Sequence, residues 1–199
     1  SVVGTALTCD QAIEYGCALH LSGGYHHAHH DFGSGYCIFN DLALAALNSL
    51  QNENIETVLI FDCDVHQGDG TATISQSIPQ IISCSIHCQE NFPARKQRSD
   101  YDIELARGTG DKAYLETVSQ TLAYLIRLHK PDLIIYDAGV DIHNDDRLGH
   151  LAISDDGIYA RDALVIQQAK SAEIPIACVI GGGYSKETQQ LNHRHSQLF

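Results

Sequence analysis

Val58-Leu59-Ile60-Phe61-Asp62-Cys63-Asp64-Val65-His66-Gln67-Gly68-Asp69-Gly70 changes character halfway along its length. A short apolar run stops at an acid, and aspartates, a histidine and glycines follow. A run this short and this apolar reads as a buried strand, and the polar residues after it as the loop at its carboxyl end. The pattern recurs. Leu133-Ile134-Ile135-Tyr136 stops at Asp137 and leads into Ala138-Gly139-Val140-Asp141, and Ile176 to Ile180 ends in Gly181-Gly182-Gly183-Tyr184. Ala18 to Leu21 is a short extended piece entering Gly23-Gly24-Tyr25-His26-His27-Ala28, and Ile81 to Ile86 reads as a further strand.

Helical segments fill the intervals. One runs from about Thr5 to Gly16, and another starts at an Asn40 or Asp41 N-cap and ends near Leu50. Asp111 to Leu128 has helical periodicity, and Ser154 caps a helix through about Ala169. Short apolar strands alternating with helices imply an α/β fold of three layers, a mostly parallel sheet with helices on both faces. In such sheets functional groups gather in the loops beyond the carboxyl ends of the strands. Every polar cluster quoted above lies in such a loop.

The chain of 199 residues suits a single domain, 1–199, with 44% hydrophobic and 19% charged residues. No apolar run is long enough to span a bilayer and no secretory leader is visible, so the expectation is a soluble cytoplasmic setting without a membrane partner. A formal net charge of −13 argues against direct nucleic-acid binding, which needs a basic surface. The same charge suits a cationic substrate, although an acidic surface that only aids solubility is the blander reading. The seven cysteines are scattered without a C-x-x-C pair, the pattern of reduced, mostly buried thiols. The chain starts at Ser1 without an initiator methionine, which leads us to expect a fragment or a processed start.

The clusters carry chemistry as a set. In extended geometry Asp64 and His66 point to the same side, and a carboxylate with an imidazole suits Zn(II). Asp141 offers a third ligand, leaving a position open for water. Taken singly, each cluster has a plain reading: turn residues and N-caps for 62–70, a turn with a core tyrosine for 181–184, surface histidines for 26–30. All of them standing at strand ends makes those readings collectively weak. His29 and His30 still read as surface residues.

At this point the chain resembles the zinc-dependent histone deacetylase family, most closely its class IV branch with bacterial members. The residues that carry the resemblance are the clusters above with Gly35-Tyr36-Cys37-Ile38-Phe39-Asn40-Asp41 and Asn91-Phe92-Pro93-Ala94-Arg95-Lys96. Arg98 to Leu105, Gly108-Thr109-Gly110-Asp111 and Asp146-Arg147-Leu148-Gly149 add to it. The resemblance implies the arginase/deacetylase fold with its amino-terminal part missing. It implies zinc on Asp64, His66 and Asp141, and paired catalytic histidines His26 and His27 backed by Asp62 and Asp69. Tyr184 would stabilise the oxyanion. Tyr36, Phe92, Gly35 and Gly182 would bind the substrate, the two aromatics as walls of a channel for an acyl-lysine stem. A potassium ion is implied near Asp62, Asp64, His66, Ser85 and Ile86. The implied substrate is an acetylated amine, either an acetyl-lysine peptide or a small molecule such as an acetylpolyamine. A catalytically silent acyl-lysine reader and a binuclear ureohydrolase are the competing readings. The first has no need of His26, His27, Asp64, His66, Asp141 and Tyr184 together, and the second needs a Gly-Gly-Asp-His-like loop that is absent.

Overall fold

The computed structural model describes residues 1–199. Its elements run α1 (Val2–Tyr15), β1 (Cys17–His20), α2 (Asp41–Ser49), β2 (Val58–Asp62), α3 (Asp69–Ser75) and β3 (Ile81–Cys88), continuing with β4 (Tyr101–Leu105), α4 (Asp111–His129), β5 (Leu133–Asp137), α5 (Asp155–Ser171), β6 (Ile176–Val179) and α6 (Thr188–Ser196). The six strands form one sheet in the order β1-β6-β5-β2-β3-β4, every neighbouring pair parallel. This is the α/β architecture expected of the arginase/deacetylase fold.

Strand alternation divides the apolar residues between two layers. Leu59, Phe61, Ile134, Tyr136 and Cys178 pack against Val118, Leu122 and Leu125 of α4 and Val165 of α5. Val58, Ile60, Leu133, Ile135 and Val179 face the other way, onto Cys9 and Ala12 of α1 and Leu42 and Ala46 of α2. With both faces covered, β2 and β5 are buried along their whole length. Truncating Phe61 to alanine in such a packed centre costs about 3–5 kcal/mol.

Helix ends follow the local chemistry. Asn40, not Asp41, caps α2, its side chain accepting from the Ala43 amide. Asp41 does something else: wholly buried, it accepts from Thr5 Oγ1 at 2.6 Å and from the Tyr25 amide at 2.7 Å, pinning the loop that carries the histidine pair. Ser154 caps α5 through the Gly157 amide as the sequence indicates. Gly16 ends α1 in the left-handed region at φ 87°.

Three elements lie outside the sequence reading. Helix α3 is short and rich in Gly and Thr, poor helix formers, and forms because its buried side packs against β3 and α2. Edge strand β4 alternates apolar and polar residues, and α6 is too polar to signal itself. Observed strands β2, β3 and β5 also run one or two residues further than read, taking in Asp62, Cys88 and Asp137. No helix is long and apolar enough to cross a membrane. All seven cysteines are free, and all but Cys17 are buried.

An apolar groove of about 650 Å³ opens beside α2, lined by Phe32, Ile38, Phe39, Leu44 and Leu47 among others. The loop after β1 forms part of its wall through His29 to Gly33, but none of Asp64, His66 and Asp141 lines it.

Candidate metal centre

Because every strand is parallel, the carboxyl ends of β1, β2, β3, β5 and β6 share one edge of the sheet. These strand ends and the loops leaving them bring together Asp64, His66 and Asp141, the His26–His27 pair with Asp62 and Asp69, the pocket residues Gly35, Tyr36, Phe92 and Tyr184, and Gly182. Asp64, His66 and Asp141 form one buried cluster with ligand atoms within 4.8 Å of one another. His66 Nδ1 lies 2.9 Å from Asp64 Oδ1 and 3.0 Å from Asp141 Oδ2. The remaining carboxylate oxygens are held by backbone donors: the Val65 amide donates to Asp141 Oδ1 at 2.9 Å and the Gly182 amide to Asp64 Oδ2 at 3.0 Å. Gly182 has to be glycine here. A Cβ at that position would stand 2.5 Å from Asp64 Oδ2 and 2.6 Å from Asp141 Oδ2.

The electrostatics of the cluster suit a divalent cation. Burial, reinforced by the charge of Asp64, pushes Asp141 up to about 7. Burial also opposes the ionised form of Asp64, but the His26 charge and the His66 hydrogen bond hold it well below the usual carboxylate range. Burial pulls His66 down, and its hydrogen bonds to Asp141 and Asp64 carry it up to about 10. Two carboxylates thus compete for one imidazole's positive charge in a dry site. Two carboxylates and one imidazole are also a donor set for zinc, so the residues present fit that ion.

The histidine pair stands beside the cluster. Nδ1 of His26 donates to Asp62 Oδ2, and Nδ1 of His27 donates to Asp69 Oδ1, each at 2.7 Å. The two Nε2 atoms face each other at 3.2 Å. Burial lowers both imidazoles, yet the Asp62 and Asp64 carboxylates lift His26 well above its ordinary value. His27 falls to about 4, from burial first and then the positive charge of His26. His29 is not a free surface residue: it stacks on Phe32, and its Nε2 lies 3.2 Å from Asp69 Oδ2. It therefore braces the partner of His27.

Beyond the cluster opens a pocket of about 340 Å³. His27, His66 and Tyr184 reach it from the cluster side, and Tyr36 and Phe92 are among its walls. Phe92 meets the His27 ring edge-on at 4.8 Å, and Tyr184 meets His66 edge-on at 6.3 Å. Gly35, at φ 48°, passes so close to the His27 ring that no side chain fits between them. Tyr36 follows, also in the left-handed region at φ 67°. Burial, with the charges of Asp64 and Asp141, raises the Tyr184 hydroxyl, so it stays protonated and able to donate.

Several supporting residues were missed by sequence reasoning. Asn91 donates to the Leu148 carbonyl at 2.6 Å and accepts from the His150 amide at 3.0 Å, joining two walls of the pocket. Lys96 Nζ donates to the carbonyls of Asn91 and Pro93 and so brackets Phe92. Asp146 accepts from the Tyr184 amide at 2.6 Å. Asn91, Lys96 and Asp146 sit inside motifs the sequence does display, but nothing there indicates which side chains turn inward.

Asp137 is also wholly buried, beside Asp62 in register across β5 and β2, and neither of its carboxylate oxygens has a hydrogen-bond partner. Its ligand atoms group with those of His26 and Asp62 in a second donor cluster. Ser85 is the register neighbour of Asp62 on the other side, and Ile86 is buried in the apolar core.

The sequence profile described as "Histone deacetylase domain" matches residues 1–197. An uncharacterized protein of Picosynechococcus sp. is 49% identical over 198 residues, covering 100% of this chain and 66% of its own length. Histone deacetylase 2 of Arabidopsis thaliana is 34% identical over 193 residues, 96% of this chain and 50% of its own. The acetoin utilization protein AcuC of Staphylococcus aureus is 33% identical over 198 residues, 92% of this chain and 51% of its own. The chain thus spans between half and two thirds of these relatives. With the profile matched almost end to end, this chain belongs to the histone deacetylase domain family.

Proposed function

We propose that residues 1–199 form a deacetylase catalytic domain, in part, of a hydrolase that removes an acetyl or other acyl group from an amine such as acetyl-lysine. The observation that carries this reading is the pocket, which His27, His66 and Tyr184 line together with the aromatic rings of Tyr36 and Phe92. A straight alkyl stem between those rings brings a terminal amide to the cluster. The relatives named as a histone deacetylase and as AcuC support the same chemistry.

Asp64, His66 and Asp141 would hold one zinc ion, which when bound supplies Lewis-acid polarisation of the amide carbonyl and a more acidic water. The rest falls to the side chains. His27, kept neutral and facing the pocket, takes the proton of the attacking water at Nε2 while Asp69 steadies its Nδ1–H. His26, held to Asp62 behind it, keeps a positive charge next to the developing oxyanion. The Tyr184 hydroxyl donates to that oxyanion. The C–N bond breaks, the amine leaves with a proton from the histidine pair, and the carboxylate is released. A potassium ion near the backbone of Asp62, Asp64 and His66, with Ser85 and Ile86, would stiffen the β2 and β3 ends, which the Asp62–Ser85 register keeps adjacent.

The substrate is an N-acylated primary amine, either acetyl-lysine in a peptide or an acetylpolyamine, met in the cytoplasm. The net charge of −13 favours a basic surrounding for it, with an attraction that salt weakens. The test is a panel of acetyl-lysine peptides, longer acyl-lysines and acetylpolyamines, with zinc and potassium present. Carboxylate release that chelation abolishes is expected. No release from any of them by protein confirmed to hold zinc would leave the silent acyl-lysine reader as the better account.

A further inference from the structure

Arg161 is the largest fully buried side chain of the molecule, and it comes from α5, a helix that supplies no ligand. Its Nε donates to Asp162 Oδ1 at 2.9 Å. Its Nη1 donates to the Gly139 carbonyl at 2.6 Å and its Nη2 to the Ala138 carbonyl at 2.9 Å. Nη1 also lies 3.5 Å from the Cys63 carbonyl. These carbonyls belong to the two loops that carry the metal ligands: Ala138 and Gly139 lead to Asp141, and Cys63 sits between Asp62 and Asp64. Asp162, in turn, is fixed by the Tyr136 hydroxyl, which donates to the same Oδ1 at 2.6 Å.

Burying a guanidinium is a poor way to fill a core. Hydrocarbon of similar volume is often no less stable than a buried ion pair, so the pair has to be explained by what it holds in place. Here it holds the turn that packs against Asp64. A Cβ on Gly139 would stand 2.7 Å from Asp64 Oδ2, so a small shift of this turn moves both Asp64 and Asp141. The planar fork suits the task, because one rigid group reaches two successive carbonyls at fixed spacing.

We infer that Arg161 is a positioning residue that sets the approach of the Asp141 loop to Asp64 and His66, and thereby how tightly the cluster holds its divalent ion. The inference rests on the metal reading of Asp64, His66 and Asp141. It assigns α5 a part in the site without contact to substrate or metal.

Arg161→Lys keeps the charge beside Asp162 but cannot fork to both carbonyls. The experiment measures zinc release from the full chain to a chelator, and thermal unfolding of the zinc-loaded and zinc-stripped forms. Release from Arg161→Lys is expected to be at least about 10-fold faster, in line with the loss of a group that orients ligands. The gap between loaded and stripped melting temperatures should narrow. A purely structural arginine would lower both melting temperatures together and leave release at the parent rate, and that result overturns the inference. Should Arg161→Lys fail to fold, Asp162→Asn keeps the guanidinium, loosens its anchor and is judged by the same two outcomes. A parent chain that binds zinc no better than Asp64→Asn would instead remove the metal reading itself, a failure distinct from unchanged release.

Discussion

The Gly182 amide donates to Asp64 Oδ2 at 3.0 Å, joining residues 118 positions apart. The bond links the loop after β6 to the loop after β2, and it leaves no volume for a side chain at 182. Gly182→Ala should therefore push the Asp64 and Asp141 carboxylates apart. Zinc affinity is expected to fall by about 10- to 100-fold, as for other losses of ligand support. Chelator competition measures it, and wild-type affinity would mean the carboxylates tolerate the intrusion.

Tyr184 tests the oxyanion assignment. Its backbone is anchored to Asp146, so removing only the hydroxyl leaves the ring in place. Tyr184→Phe should lower kcat by about 10²- to 10³-fold, the usual cost of one oxyanion donor, with little change in hydroxamate affinity. Near-normal turnover would reduce Tyr184 to a wall of the pocket.

Asp69 fixes the tautomer of His27 and is itself held by His29. If His27 takes up a proton in the reaction, Asp69→Asn removes the charge that would steady the imidazole through that step. Turnover should fall by about 10- to 100-fold while zinc content stays at the parent level. Loss of zinc together with activity would show that Asp69 serves the metal cluster instead.

Asp137 makes a prediction about pH. Burial, with Asp62 alongside, raises its carboxyl well above the ordinary range. Below about pH 4 the group is protonated in both folded and unfolded chains and has no effect on stability. Above that, the unfolded chain ionises freely while the folded one resists, so this residue lowers stability as pH rises. Asp137→Asn should match the parent near pH 4 and exceed it increasingly toward neutral pH in urea unfolding. Parallel stability curves for the two proteins would contradict a neutral buried acid.

The sheet could be read from sequence because β2, β5 and β6 are buried on both faces and so appear as unbroken apolar runs ending at Asp62, Asp137 and Gly181. That Asp64, His66, Asp141, His26 and His27 gather in one place could be read because each lies in the loop after an apolar run, and parallel strands bring such loops to one edge. Edge strand β4 is half solvated and carries acids, so its alternation is faint against the polar loop before it. The role of Arg161 was hidden for a different reason. A lone arginine in a helix signals an exposed face, and only the packing of α5 against the β5 loop reveals its three short bonds. Asp41 likewise reads as a cap, and its hold on Tyr25 depends on the fold.

The strand order has a consequence during synthesis. Strand β1 pairs with β6, and β6 is made only after Pro175 has been added. At roughly 5–20 residues per second a ribosome leaves β1 without that neighbour for many seconds. Asp64 and His66 must likewise wait for β5 before Asp141 can join them. The nascent polypeptide thus exposes apolar strand surface before Asp64, His66 and Asp141 can come together, so any ion held by these three could be captured only once the loop beyond β5 has been made.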